Sequence, residues 1–251
     1  MTAVRIAPAL AARVAALAGC SWPSGDGASP TAASSTALAT SASAAASASA
    51  AMPTFKEPAN PAADRVGVLA PNTGIPTGTR VPDVHGVDLE GRDVTLSSLY
   101  AKGPILLAFY RGGWCPFCNG EIHAMTTAFA EYQRRGVTPV AVSVDRPEAE
   151  AKIKATYAIP FPVLSDSDAA IIGAFHVVKK VGDDELAKMK GFGVDLESYS
   201  GKTHHEMAIP ALFLIDRKGI VRWAHSDPDF RVRPSTAQIL SAIDAAHLDG
   251  T

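Results

Sequence analysis

Two cysteines three positions apart, Cys115 and Cys118, are the residues of this chain best suited to chemistry. A bridge between them closes too small a loop to constrain folding much, so the pair is chemical rather than structural. The run Pro104-Ile105-Leu106-Leu107-Ala108-Phe109-Tyr110 precedes them and ends at Arg111-Gly112-Gly113; Ile122, Met125, Phe129 and Tyr132 follow at helical spacing. The dithiol therefore sits between a strand buried on both faces and the first turn of a helix. Free amides and the positive end of the helix dipole favour a thiolate there, and can bring a cysteine pKa from ~8.5 to between ~3.5 and ~7.5. A spacing of three puts both sulfurs on one side of the turn, so one can attack a substrate and the other can displace it. Pro116 suits the first helical position because it lacks an N–H. Two other readings stay open on the residues alone. One is a zinc half-site, for which His204, His205 and Glu206 are the cluster offered, and the other is inert packing. No cofactor or metal beyond the cysteine pair is expected.

Composition narrows the rest. The 251 residues carry a formal net charge of −2 and scattered charges, with no basic stripe for nucleic acid. Residues 1–61 cannot build a core, which leaves one folded domain over 62–251. Residues 1–20, with Arg5, Arg13 and the tetrad Leu17-Ala18-Gly19-Cys20, resemble a bacterial lipoprotein signal. That resemblance implies lipid on Cys20 and an exported, membrane-tethered or periplasmic protein. The competing reading is an upstream extension, a start at Met52 and a cytoplasmic location. Residues 21–61 read as an Ala/Ser/Pro-rich linker: no charge occurs between Gly27 and Phe55, and the run from Ser41 to Ala51 is only Ala and Ser.

The elements that must hold the dithiol follow from periodicity and punctuation. Val81 to Val87, the turn Asp88 to Arg92, and Asp93 to Leu96 read as a lead-in hairpin. After the central strand comes one helix from the cysteines to Arg134-Arg135-Gly136, then a second buried strand over Val137 to Val144. A helix opening at Pro147, a short strand over Phe161 to Leu164, and a helix capped by Asp166 or Ser167 come next. Residues 176–206 show no clean period and predict an excursion with one short helix around Asp184 to Lys190. Ala211 to Asp216, the turn Arg217-Lys218-Gly219 and Ile220 to Ala224 predict an antiparallel pair, and Ser235 to His247 a closing helix. This is an α/β plan of the thioredoxin-like type: a central mixed sheet flanked by helices, with an N-terminal hairpin extension.

The segment Phe109-Tyr110-Arg111-Gly112-Gly113-Trp114-Cys115-Pro116-Phe117-Cys118-Asn119 resembles the active site of peroxiredoxin-like proteins in the alkyl hydroperoxide reductase/thiol-specific antioxidant (AhpC/TSA) group. Leu96-Ser97-Ser98-Leu99, Val142-Ser143-Val144-Asp145, Phe213-Leu214-Ile215-Asp216 and Asp227-Pro228-Asp229-Phe230 extend the likeness. It implies a thiol oxidoreductase that reduces hydroperoxides or disulfides with electrons from a thioredoxin-type donor. A membrane-tethered protein disulfide reductase and a non-catalytic redox-sensing or metal-binding lipoprotein are the alternatives.

Departures from the family matter too. The peroxiredoxin motif Pro-x-x-x-Thr-x-x-Cys, set on Cys118, places Cys115 at the threonine and Arg111 at the proline; set on Cys115, it places Gly112 and Ala108 there. The family's arginine before the late strand is Pro210 here. Ile209-Pro210 instead resembles the cis-proline loop of thioredoxins, and Trp114-Cys115 the start of their active site. The buried Asp of thioredoxins, six positions before the first cysteine, is Phe109, so proton transfer needs another group or water. By thioredoxin logic Cys115 attacks; by peroxiredoxin alignment Cys118 does. Arg111, Trp114, Ile209 and Pro210 are the candidate substrate-binding residues, with a solvated loop and plain packing as the bland readings of the first two. Glu121 is expected only to complement the helix dipole, and His123 to lie on the surface.

Overall fold

The computed structural model describes residues 62–246 and 248. Cys20, the signal-like segment, the linker and His247 lie outside them. After a single 3-10 turn at Ala63–Arg65, nine strands and eight α-helices follow among these residues in the order β1 His85–Val87, β2 Asp93–Thr95, α1 Leu96–Tyr100, β3 Ile105–Phe109, α2 Pro116–Thr127, α3 Phe129–Arg134, β4 Thr138–Ser143, α4 Pro147–Thr156, β5 Val163–Ser165, α5 Ala170–Ala174, β6 Val178–Lys180, α6 Asp183–Gly191, α7 Leu196–Ser200, β7 Glu206–Ala208, β8 Ala211–Ile215, β9 Val221–Ser226 and α8 Thr236–Ala245. The main sheet has seven strands in the order β2-β1-β5-β4-β3-β8-β9. β3, β4 and β5 run parallel, while β8 is antiparallel to β3 and β9 to β8. The expected mixed sheet with a lead-in hairpin is the observed one, although the hairpin strand starts at His85 rather than Val81.

β3 is central because its sequence is apolar on both pleats. Ile105, Leu107 and Phe109 face one core with residues of α1 and α5, while Leu106 and Ala108 face a second core with α2 and α8. Alternation along the strand sends successive side chains to opposite faces, so a continuous apolar run is what a doubly covered strand requires. Both cysteines belong to the second core. Phe109 belongs to the first, where its ring meets Phe175 at a tilt and Phe213 edge-on, at centroid distances of 5.1 and 5.8 Å.

Several expectations are corrected. The helix after the cysteines breaks at Ala128. Thr126 and Thr127 hydroxyls donate back to the Ile122 and His123 carbonyls at 2.9 and 3.0 Å, a pattern that weakens and bends a helix. Asp166 caps α5 as expected, its carboxylate accepting the Ile171 and Ile172 amides at 2.9 and 2.8 Å, although the N-cap position itself is held by Ala169. The excursion contains two helices, α6 and α7, closed by the ribbon β6–β7. Its strands and α7 are too short to show a period.

The outer edge of β9 is met by the lead-in chain. Val221 N–H donates to the Thr79 carbonyl at 3.0 Å, and Ser226 N–H to the Val68 carbonyl at 3.1 Å. Among the described residues, no helix is long and apolar enough to cross a membrane.

Candidate active site

β3 hands the chain to Tyr110 and the turn Arg111-Gly112-Gly113-Trp114, which sets Cys115 at the N-cap of α2 (φ −92°, ψ 111°) with Pro116 just inside the helix. Cys115 N–H donates to the Gly112 carbonyl at 3.1 Å, and Asn119 Nδ2 to the Gly113 carbonyl at 2.8 Å, so the turn is tied to the helix it introduces. Gly112 has a φ of 144°, a backbone conformation that side chains disfavour. A Cβ on Gly113 would meet Ile153 Cγ1 at 2.3 Å. Both glycines are therefore required by the turn.

The two sulfurs are reduced and buried, with Cys115 1% and Cys118 0% exposed. Their environments push them apart. The Cys118 thiol, hydrogen-bonded to the Cys115 sulfur, brings Cys115 down to about 6; burial opposes this, and the Cys118 amide and the charges of Arg111 and Arg233 assist. Burial, reinforced by the hydrogen bond given to Cys115, holds Cys118 well above the usual thiol range. At pH 7 roughly 90% of Cys115 is thus thiolate, the species that attacks.

Arg233, in the loop before α8, is buried beside this pair. Its Nη2 donates to Cys118 Sγ at 3.3 Å, its Nε to the Phe230 carbonyl at 2.8 Å, and its Nη1 to Glu121. Glu121 is itself buried and raised in pKa by that burial, against the pull of Arg233. Its expected role as a dipole partner alone is corrected: it is the counter-ion of the guanidinium that touches the sulfur. The same loop also packs on residues that flank the dithiol. Phe230 packs edge-on against Phe117 at 5.1 Å, and the Arg111 guanidinium lies 4.5 Å from the Phe230 ring and 4.8 Å from the Trp114 ring. Arg111 and Trp114 are thus brought to the cysteines, Arg111 as part of a cation–aromatic stack rather than as a free solvated side chain.

A buried carboxyl pair lies on the other side of the turn. Asp145, two residues past the end of β4, accepts the Gly113 amide on Oδ2 at 2.7 Å. Ser143 donates to Glu150 at 2.6 Å and accepts the Asp145 amide at 3.0 Å, and the Tyr110 hydroxyl also donates to Glu150. Burial raises Asp145 to about 7 and Glu150 to about 8; the charge of Asp145 adds to the second shift.

Ile209 and Pro210 do not reproduce the thioredoxin loop. No cis peptide occurs among the described residues, so the Ile209–Pro210 bond is trans. Ile209 donates to the Val177 carbonyl at 2.7 Å and packs on the core away from the cysteines. The ribbon β6–β7 fixes this approach to β8. His123 is half-buried near the Tyr157 ring rather than on the open surface. His204 and His205 bond the Ser167 carbonyl and the Glu197 carboxylate at 2.9 and 2.6 Å.

Arg233, Glu121, Asp145 and Glu150 were not among the candidate residues. Only Asp145 stands in a segment that carried the family likeness, and nothing in its position there announces a neighbour 32 residues away.

Residues 77–224 match the AhpC/TSA family. The thiol-disulfide oxidoreductase ResA of Bacillus cereus is 32% identical over 112 residues, which cover 44% of this chain and 64% of that protein. A peroxiredoxin of Thermoplasma volcanium is 27% identical over 139 residues, covering 49% and 57%. The chain thus spans less than two thirds of the length of these relatives. The crystal structure of the peroxidoxin BcpB of Mycobacterium tuberculosis superposes with a TM-score of 0.54 at 21% identity, over 70% of this chain and 98% of that one, a likeness of fold.

Proposed function

This chain belongs to the AhpC/TSA family, and on that premise we propose that it is a thiol-dependent oxidoreductase that reduces disulfides through Cys115, with Cys118 as the resolving thiol. The observation that carries this reading is the opposite displacement of the two thiols, Cys115 to about 6 and Cys118 far upward. The Cys115 thiolate attacks a substrate sulfur and forms a mixed disulfide. Cys118 then attacks the Cys115 sulfur, releases the reduced substrate and leaves the Cys115–Cys118 bridge. A thiol donor of thioredoxin type returns the pair to the dithiol. In that step Cys118 departs as a thiolate, and the Arg233 guanidinium at 3.3 Å stabilises it. Both sulfurs are buried, so an opening beside Cys115 precedes its encounter with either partner.

Separate serine variants test the order. Cys115→Ser loses all reaction with a model disulfide, and Cys118→Ser stops at a mixed disulfide visible by mass. Two equally active variants would refute the scheme.

The contact between Arg233 and Cys118 also favours hydroperoxide reduction as a second reading. In it, Cys118 is oxidised to a sulfenic acid and Cys115 condenses onto it with loss of water. Stopped-flow peroxide consumption separates the two: a Cys115→Ser variant that still consumes one equivalent of peroxide and is labelled by dimedone supports the peroxidase. Membrane tethering through a lipid on Cys20 is part of the proposal, supported by the Leu17-Ala18-Gly19-Cys20 tetrad. Absence of palmitate label in an expressing bacterium would remove it.

A further inference from the structure

The arginines among the described residues share one habit. Eight of them pair with a carboxylate, and Arg80 and Arg217 donate to the Lys218 and Lys102 carbonyls. Arg111 does neither. Its guanidinium lies over two aromatic rings instead, 4.8 Å from the Trp114 centroid and 4.5 Å from the Phe230 centroid. A ring attracts the cation but offers no lone pair, so the fork of N–H donors stays available to a ligand.

The rings hold this fork beside the nucleophile. Arg111 and Trp114 belong to the turn that delivers Cys115, and Phe230 packs at 5.1 Å on Phe117, which stands between the two cysteines. Trp114 and Phe117 both pack against the core cluster that contains the two sulfurs. The other cations nearby are already matched. On the segment that supplies Phe230, Arg231 pairs with Asp229 and Arg233 with Glu121, and Arg65 covers Asp227. Arg111 is half-buried, so a ligand can reach it, and the two rings limit the rotamer freedom that it loses on binding.

We infer that Arg111 is a carboxylate subsite beside Cys115, and that the disulfides this chain reduces carry a carboxylate within a few bonds of the sulfur. This rests on the dithiol reading given above and names its substrate class. A carboxylate-bearing disulfide is repelled by the thiolate that must attack it. The open guanidinium fork reverses that repulsion and binds the carboxylate through two parallel N–H bonds. The attack itself is unaltered. The bond from Cys115 to the substrate sulfur forms, the substrate S–S bond breaks, and its electron pair leaves on the second substrate sulfur as a thiolate.

Three small dialkyl disulfides of similar size and different charge test the assignment: dithiodipropionate, hydroxyethyl disulfide and cystamine. The rate at which each converts the reduced full chain to the bridged form is read by mass after alkylation. The wild type takes the anionic reagent fastest and the cationic one slowest. In Arg111→Met the ratio of anionic to neutral rates falls by about tenfold or more, the worth of a charge-assisted hydrogen bond; Arg111→Lys, which keeps the charge and loses the fork, restores only part of it. Any loss of Cys115 acidity scales all three rates alike and cancels in the ratio. An arginine that merely props Trp114 and Phe230 would slow the three reagents equally in Arg111→Met, and that result overturns the inference while leaving the dithiol reading intact. So does a wild type without preference for the anionic reagent. A wild type inert to all three overturns both. Should Arg111→Met fail to fold, the wild-type preference in rising salt decides: it must decline toward unity, and a preference unmoved by salt refutes the subsite.

Discussion

Replacing Cys118 by alanine should strip Cys115 of most of its acidity. The hydrogen bond from the Cys118 thiol is the largest influence holding Cys115 at about 6, ahead of the Cys118 amide and of Arg111 and Arg233, while burial pushes the other way. With the thiol gone, burial stands against two guanidinium charges and an amide, and the Cys115 pKa rises toward an ordinary ~8.5. The thiolate fraction at pH 7 then falls from roughly 90% to roughly 3%. Reactivity falls by much less, because a more basic thiolate is the better nucleophile. With a Brønsted coefficient of ~0.4 to 0.5, a rise of ~2.5 in pKa returns about tenfold or more of a roughly thirtyfold loss. Alkylation at pH 7 should therefore slow only by about two- to threefold, whereas the midpoint of the rate–pH curve moves by more than two pH units. The assay is iodoacetamide capture of Cys115 across pH 5 to 10 (values ~5 and ~10, bracketing the free thiol), read by mass. A midpoint still near 6 would show that the helix terminus and the arginines set the thiolate unaided, and would refute the account given for the pair.

Three further outcomes follow from the surroundings of the dithiol. Glu150, raised from 4.5 to about 8, stays protonated in the folded chain while the unfolded chain ionises; stability should fall as pH rises from about 4.5 to about 8 and level above that. Glu150→Gln should flatten this part of the Tm–pH curve, and an unchanged slope would count against it. Arg233→Met leaves Glu121 buried without its counter-ion and should cost up to about 3 to 5 kcal/mol in urea melts; adding Glu121→Gln should recover much of that loss, and strictly additive costs would contradict the pairing. Phe230→Ala removes the ring that packs on Phe117 and Arg111 beside the dithiol, so a bulky maleimide should gain more in rate on Cys115 than small iodoacetamide does. Equal gains would mean that the loop does not control access.

The frame of the molecule was legible because it rests on local pattern. The apolar run that becomes β3, the Pro116 start of α2, and the turn between β8 and β9 each carry their signal within a few residues. The chemistry around the sulfurs was legible in the two cysteines, Arg111 and Trp114, and no further. Glu121 looks like an ordinary first-turn acid until Arg233, 112 residues later, is folded onto it. Asp145 follows a strand in sequence and faces the active-site turn only because β4 pairs in parallel with β3, ending beside Tyr110. The absent thioredoxin acid at Phe109 pointed to a missing proton acceptor, yet that position faces the other core. The ribbon β6–β7 that leads into Ile209 was likewise announced by no periodicity.

The hydrogen bonds that Thr79 and Val68 extend to β9 decide where the domain can be cut. A recombinant fragment beginning at residue 81 would keep the dithiol and most of the sheet, yet strip Val221 and Ser226 of their outer partners and offer a bare strand for self-association. Cloning from residue 62 retains the guard, and a gel-filtration comparison of the two fragments would show whether those few residues govern solubility.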